Sequence, residues 1–224
     1  MGITYLLIFI SILITLFAQI LVSSRYKKYS IIKNKRDISG VEVAQEILKN
    51  NGLDNVYVVE TKGYLSDHFD PGQNVVRLST NVFHGKSISA LAIAAHEVGH
   101  AIQHKEGNFF MKLRKYIFPV VNLCSRFGYL AIFIGLVFSL MDLFYIGIVM
   151  LFAILFFQLI TLPVEFDASR KAMTNLEKYN FLTGKEKEGA SKVLFAAALT
   201  YVASLITTLI EIARLLIMAA GNRD

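Results

Sequence analysis

Between residues 127 and 164 the chain carries a single charged side chain, Asp142. A run so long and so nearly uncharged belongs in a bilayer. As one helix it would extend about 57 Å, almost twice the hydrocarbon core of about 30 Å. Two crossings with a turn near Met141-Asp142 fit, over roughly 120–140 and 143–161. Arg126, near the start of the first, has a stem long enough to carry its charge to the headgroups. Composition agrees: hydrophobic residues make up 54% and charged residues 18%, against about 25% charged in an ordinary soluble domain.

Residues 3–22 form a second uncharged run, again about 30 Å as a helix. It lacks the basic start, short apolar region and small-residue cleavage site of a signal peptide, so it reads as a retained anchor. Arg25, Lys27, Lys28, Lys33, Lys35 and Arg36 follow at once, which predicts a cytoplasmic exit. These cations account for much of the net charge of +6. No nucleic-acid-binding motif accompanies them, so no nucleic-acid partner is expected. The only cysteine, Cys124, excludes an intramolecular disulfide and a thiolate metal site, and fits a reducing compartment. A last apolar stretch, about 193–220, contains Glu211 and Arg214, three residues apart and able to pair on a helix. A crossing and a surface-lying amphipathic helix both fit it.

The hydrophilic stretches 25–115 and 165–192 are expected to assemble beside the membrane. Ser39-Gly40-Val41-Glu42 has capping-box spacing, with Val41, Ala44, Ile47 and Leu48 as an apolar stripe and Gly52 as a stop. Residues 56–60 and 74–79 read as short strands around a turn-rich segment, 66–72. Residues 87–105 return to helical spacing.

That last helix contains His96-Glu97-Val98-Gly99-His100. Histidines four apart share one face and can meet one Zn²⁺ at about 2.0–2.1 Å. Glu97 lies at the offset needed to take a proton from a water whose pKa zinc lowers to about 7, and to deliver it to a leaving amine. His104, eight residues beyond His96, is turned about 80° away. Gln103 and Glu106 stand where the metzincin pattern requires glycine and histidine, so that arrangement is excluded. The third ligand is then expected from Leu162-Pro163-Val164-Glu165-Phe166-Asp167-Ala168-Ser169, where Pro163 suits the first turn of a new helix. On spacing, either Glu165 or Asp167 could serve.

With these residues in view, the chain resembles the YugP-type neutral zinc metallopeptidases of bacteria. The matching pieces are Gly40-Val41-Glu42-Val43-Ala44, Leu65-Ser66-Asp67-His68-Phe69-Asp70-Pro71, Val76-Arg77-Leu78-Ser79, Ala94-Ala95-His96-Glu97-Val98-Gly99-His100-Ala101-Ile102-Gln103 and Pro163-Val164-Glu165-Phe166-Asp167-Ala168-Ser169. More distantly it is similar to the HtpX and CAAX prenyl protease group. The resemblance implies His96, His100 and Glu165 as zinc ligands, with Glu97 as catalytic base. It further implies that residues 75–78 form an edge strand on which substrate docks. The distant group often has an aspartate four residues after the ligand glutamate; here Ser169 stands there, so support for the ligand histidine must come from elsewhere. Asp67, His68 and Asp70 could gather near the metal, although such a turn is more often a solvated loop.

The expected architecture is a mainly α membrane protein with about four transmembrane helices and an α+β, zincin-like (gluzincin-type) catalytic domain. The segments are 1–24, an anchor; 25–115, the metallopeptidase domain; 116–164, a helical hairpin; 165–192, a helix completing the zinc site; and 193–224, a hydrophobic helix. The expected function is that of a membrane-bound zinc endopeptidase acting on peptides or proteins, membrane proteins among them. It would be a multi-pass protein of the cell membrane with its catalytic domain in the cytoplasm. The rivals are a site-2-type intramembrane protease, a scaffold with a structural zinc, and a transporter built around Glu211 and Arg214. Lys86 and Lys105 bracket only 18 residues around the motif, which disfavours the first. Glu97, not a ligand and without a structural duty, disfavours the second.

Overall fold

The computed structural model describes residues 2–63 and 66–221. Leu65, in one of the family-like pieces, and residues 222–224 of the last segment lie outside them. The elements run α1 (Gly2–Ser30), α2 (Gly40–Asn50), β1 (Tyr57–Thr61), β2 (His68–Asp70), β3 (Val75–Ser79), α3 (Thr80–Phe83), α4 (Ile88–Lys105), α5 (Phe109–Val137), α6 (Met141–Lys178) and α7 (Lys185–Gly221). Among the described residues four helices are long and apolar enough to cross a membrane: α1, α5, α6 and α7.

The chain divides into two compact units. One comprises Met1–Gln19, Lys112–Pro163 and Thr200–Asp224. Its apolar centre gathers Ile132, Phe144, Ile148, Leu151, Ile212 and Leu215. Glycines bring α5 and α6 together: a Cβ at Gly135 would stand 2.6 Å from the Phe144 nitrogen, and one at Gly147 2.8 Å from the Gly128 oxygen. Small residues serve helix pairs in lipid this way, because packing rather than water exclusion drives the association. The turn falls between Val137 and Met141, with Ser139 at φ 57°. Asp142 therefore sits in the first turn of α6, where the helix dipole favours an acid. On α7, Arg214 Nε and Nη2 grip the Glu211 carboxylate at 2.9 and 2.5 Å, the local pair that their spacing predicts.

The second unit comprises Ile20–Met111 and Val164–Leu199. Its sheet has the order β1-β3-β2, parallel between β1 and β3 and antiparallel between β3 and β2. Val76 and Leu78 of β3 are fully buried in the core formed with α2 and α4. The strand β2 was expected to be part of a turn; its three residues instead pair with Val75, Val76 and Arg77. This overturns the edge-strand expectation for residues 75–78, because β3 is central, paired with β1 over Val75–Ser79 and with β2 over Val75–Arg77.

The predicted capping box is present on α2. The Ser39 amide donates to Glu42 Oε2 at 2.6 Å and the Glu42 amide to Ser39 Oγ at 3.5 Å; such a cap contributes about 1 kcal/mol. The buried stripe is Val43, Ala44, Ile47 and Leu48, so Val43 rather than Val41 leads it. Gly52, at φ 64°, follows the helix as expected.

One boundary differs more. Pro163 does not begin a helix; α6 runs through it from Met141 to Lys178. Proline removes one hydrogen bond from the ladder, but Val164, Ala168, Ala172 and Leu176, a straight i, i+4 ridge, are all at most 1% exposed. Packing of that ridge sustains the helix where local propensity would end it.

Candidate metal centre

The helix carrying the histidine pair begins with Ser87, whose Oγ accepts from the Ala90 amide at 3.2 Å. Buried positions then occur all round α4, including Leu91, Ala92, Ala94, Ala95, Val98 and Ala101. A helix apolar on every side is held in a core, and this fixes the rotation at which His96 and His100 project. Gly99 permits a close neighbour: a Cβ there would lie 2.6 Å from the Ala168 carbonyl oxygen of α6. α4 and α6 therefore touch backbone to backbone one residue before His100. Gly99→Ala is expected to cost about 1–3 kcal/mol through overpacking and to weaken metal binding as the helices separate. Thermal unfolding and zinc titration check this; an unchanged midpoint and affinity would show that the contact is dispensable.

This approach brings Glu165 to the histidines. Its Oε2 stands 3.3 Å from His96 Nε2 and 3.7 Å from His100 Nε2. The two rings lie nearly perpendicular, 4.8 Å between centroids. Glu165 is 3% exposed and His100 9%. Among the described residues, this trio alone offers three ligand atoms within 4.8 Å of one another. A tetrahedral ion with bonds of about 2.0–2.1 Å has ligand–ligand edges of about 3.3 Å, so the donors suit zinc in spacing as in type. Burial disfavours the His100 imidazolium, yet the hydrogen bond to Glu165 and the charges of Glu97 and Glu165 raise its pKa above the usual value. The same concentration of negative charge favours a dication.

The outward ring nitrogens are held as well. Gln103 Nε2 donates to the Val164 carbonyl and to Asp167 Oδ2, both at 2.8 Å. Its Oε1 therefore faces His100 Nδ1, at 3.0 Å. An acceptor there puts the proton on Nδ1 and leaves Nε2 with a free lone pair for a metal. Ser169 Oγ lies 3.2 Å from His96 Nδ1. Ser169, in the place of the aspartate of the distant group, thus itself supports the ligand histidine. Gln103, fully buried, is a site residue that the motif alone does not announce; its position three after His100, on the same helix face, is the signal the sequence carries.

Asp167, the alternative ligand, instead accepts from Gln103 and pairs with Arg170. His104 packs on the Phe69 ring at 5.8 Å between centroids. Asp67 accepts from the Ser79 amide at 2.7 Å, Asp70 from the Gly72 amide at 2.9 Å, and His68 Nδ1 donates to the Ser66 carbonyl at 2.8 Å. These three residues are engaged within and around β2 and form no second metal cluster among the described residues. Glu97, 8% exposed, shares α4 with the histidines.

Four helices long and apolar enough to cross a membrane, with a buried two-histidine, one-carboxylate cluster, define the class: a membrane protein with a candidate metal centre. Residues 4–220 match the family described as "Putative neutral zinc metallopeptidase", and the chain belongs to that family. It is 44% identical over 211 residues, 94% of each chain, to the "Putative membrane protease YugP" of Bacillus subtilis (strain 168). No solved structure matches.

Proposed function

We propose that the chain is a membrane-bound zinc endopeptidase with a zincin-like site in which His96, His100 and Glu165 hold the metal and Glu97 is the general base. The convergence of two imidazole nitrogens and one buried carboxylate oxygen on a single point carries this reading. Family membership and the membrane-protease relative support it. When bound, Zn²⁺ supplies Lewis acidity that makes water acidic and polarises a carbonyl. Glu97 accepts the proton of the attacking water and passes it to the leaving amine. His100, fixed by Gln103, and His96, fixed by Ser169, keep their Nε2 atoms directed at the centre. The helices long and apolar enough to cross are α1, α5, α6 and α7, and the motif helix α4 is a separate element, which favours a peptidase beside the membrane over one of the site-2 type. Purified full-length protein should cleave a peptide or casein, lose this with a chelator and regain it with stoichiometric zinc. Chelator-resistant cleavage, or none in zinc-loaded protein, overturns the reading.

The basic flanks support a cytoplasmic side for the motif-bearing segment. With Cys124→Ser as background, an impermeant thiol reagent applied outside whole cells should label a cysteine at position 142 and spare one at position 60. Both side chains are exposed in the fold. Labelling of 60 with sparing of 142 would invert the topology.

A further inference from the structure

Helix α4 has two sides, one on either hand of His100. At about 100° per residue, Gly99 and Gln103 lie about 100° and 60° round to one hand. Both meet α6: the Ala168 carbonyl closes on Gly99, and Gln103 binds the Val164 carbonyl and Asp167. Glu97 and His104 lie about 60° and 40° round to the other hand. There α4 meets β2, and the His104 ring stands 5.8 Å from the Phe69 ring at a tilt of 54°. Phe69 is paired with the fully buried Val76. Cross-strand partners share a face, so Phe69 points from the core side of the sheet towards α4. The strand β2 ends the order β1-β3-β2, which leaves Phe69 half-buried and His104 exposed. Among the described residues the His104 ring makes no hydrogen bond and no ion pair.

On the peptidase reading Glu97 marks the substrate side of the centre, because the carbonyl under attack stands next to the water that Glu97 activates. His104 shares that side, about 6 Å beyond His100 and about 12 Å beyond His96 along the helix axis. A peptide extended beside α4 rises about 3.3 Å per residue. Side chains two or three residues from the scissile bond therefore reach the level of His104. They meet an exposed imidazole with the Phe69 ring behind it. A third ring joins such a pair edge-to-face or offset, at centroid separations of about 4.5–7 Å. An aliphatic side chain there gains apolar contact but not the attraction between rings.

We propose that His104, backed by Phe69, is a specificity residue that selects an aromatic substrate side chain two or three residues from the cleaved bond. This rests on the peptidase reading and adds a substrate preference to it. Zinc-loaded full-length protein is given casein, and mass spectrometry of the early products locates the cleaved bonds. Wild type should show aromatic residues enriched two or three residues from the bond, on one side of it. His104→Ala should lower that enrichment roughly two- to tenfold, the usual weight of one aromatic pair, with zinc content unchanged. His104→Phe keeps a ring and should retain the enrichment, whereas Phe69→Leu should reduce it. Zinc content and thermal midpoint check that each variant is folded; should His104→Ala fail either, His104→Gln replaces it with the same expected loss. Abundant cleavage without aromatic enrichment, or equal enrichment in wild type and the alanine variant, overturns the subsite and leaves the peptidase reading standing. Enrichment of acidic residues at that distance, lost in His104→Phe, makes His104 a partner for carboxylates and overturns aromatic selection. Absence of cleavage by the zinc-loaded wild type overturns both readings.

Discussion

Replacing Glu97 by glutamine is expected to leave one zinc bound per chain and to reduce peptide hydrolysis by at least about a hundredfold, within the 10²–10⁴ range of general acid–base catalysis. The amide keeps the size and shape of the carboxylate, so the packing around it survives. It cannot accept a proton at neutral pH, so on the proposed mechanism the attacking water would lose its base and the leaving amine its proton donor. Metal content should be unaffected because Glu97 lies outside the converging trio. Zinc analysis beside peptide turnover separates the two effects. Wild-type turnover in the variant would remove Glu97 from the mechanism; loss of zinc would instead give it a part in metal binding.

Much of this molecule was legible from local pattern. The uncharged runs at 3–22 and 127–164 predict crossing helices because bilayer thickness leaves few alternatives. The capping box at Ser39 and the pairing of Glu211 with Arg214 follow from helical spacing over three residues. The elements that escaped depend on distant partners. His68–Asp70 has too little chain to announce a strand, and it forms one because β3 has a vacant side. Once filled, that side makes β3 central and removes it as a docking edge. Pro163 reads as a boundary, yet the buried ridge from Val164 to Leu176 carries the helix past it. Gly99 is only a small residue inside a motif until the Ala168 carbonyl is placed 2.6 Å from its absent Cβ. The roles of Gln103 and Ser169 likewise require α4 and α6 to be side by side.

Glu165 and Asp167 provide the sharpest test of how the centre is built. They stand two residues apart on α6, and spacing alone does not choose between them. A step of two residues on a helix turns the side chain by about 200°, so both cannot point at the histidines. The geometry assigns them different surroundings: Glu165 Oε2 approaches both Nε2 atoms, whereas Asp167 is engaged by Gln103 and Arg170. Glu165→Ala is therefore expected to weaken zinc binding by more than about a hundredfold, as much as loss of either histidine. That exceeds the 10–100-fold usual when only a group supporting a ligand is removed. Gln103→Leu should fall inside that range, because it frees the His100 ring without removing a donor. Asp167→Ala acts through Gln103, one step further out, and should cost less than about tenfold. Competition against a chromophoric chelator measures all three affinities without reference to activity. The order Glu165, then Gln103, then Asp167 is the expected result. A larger loss in Asp167→Ala than in Glu165→Ala would exchange their places and move the third ligand to the other face of the helix.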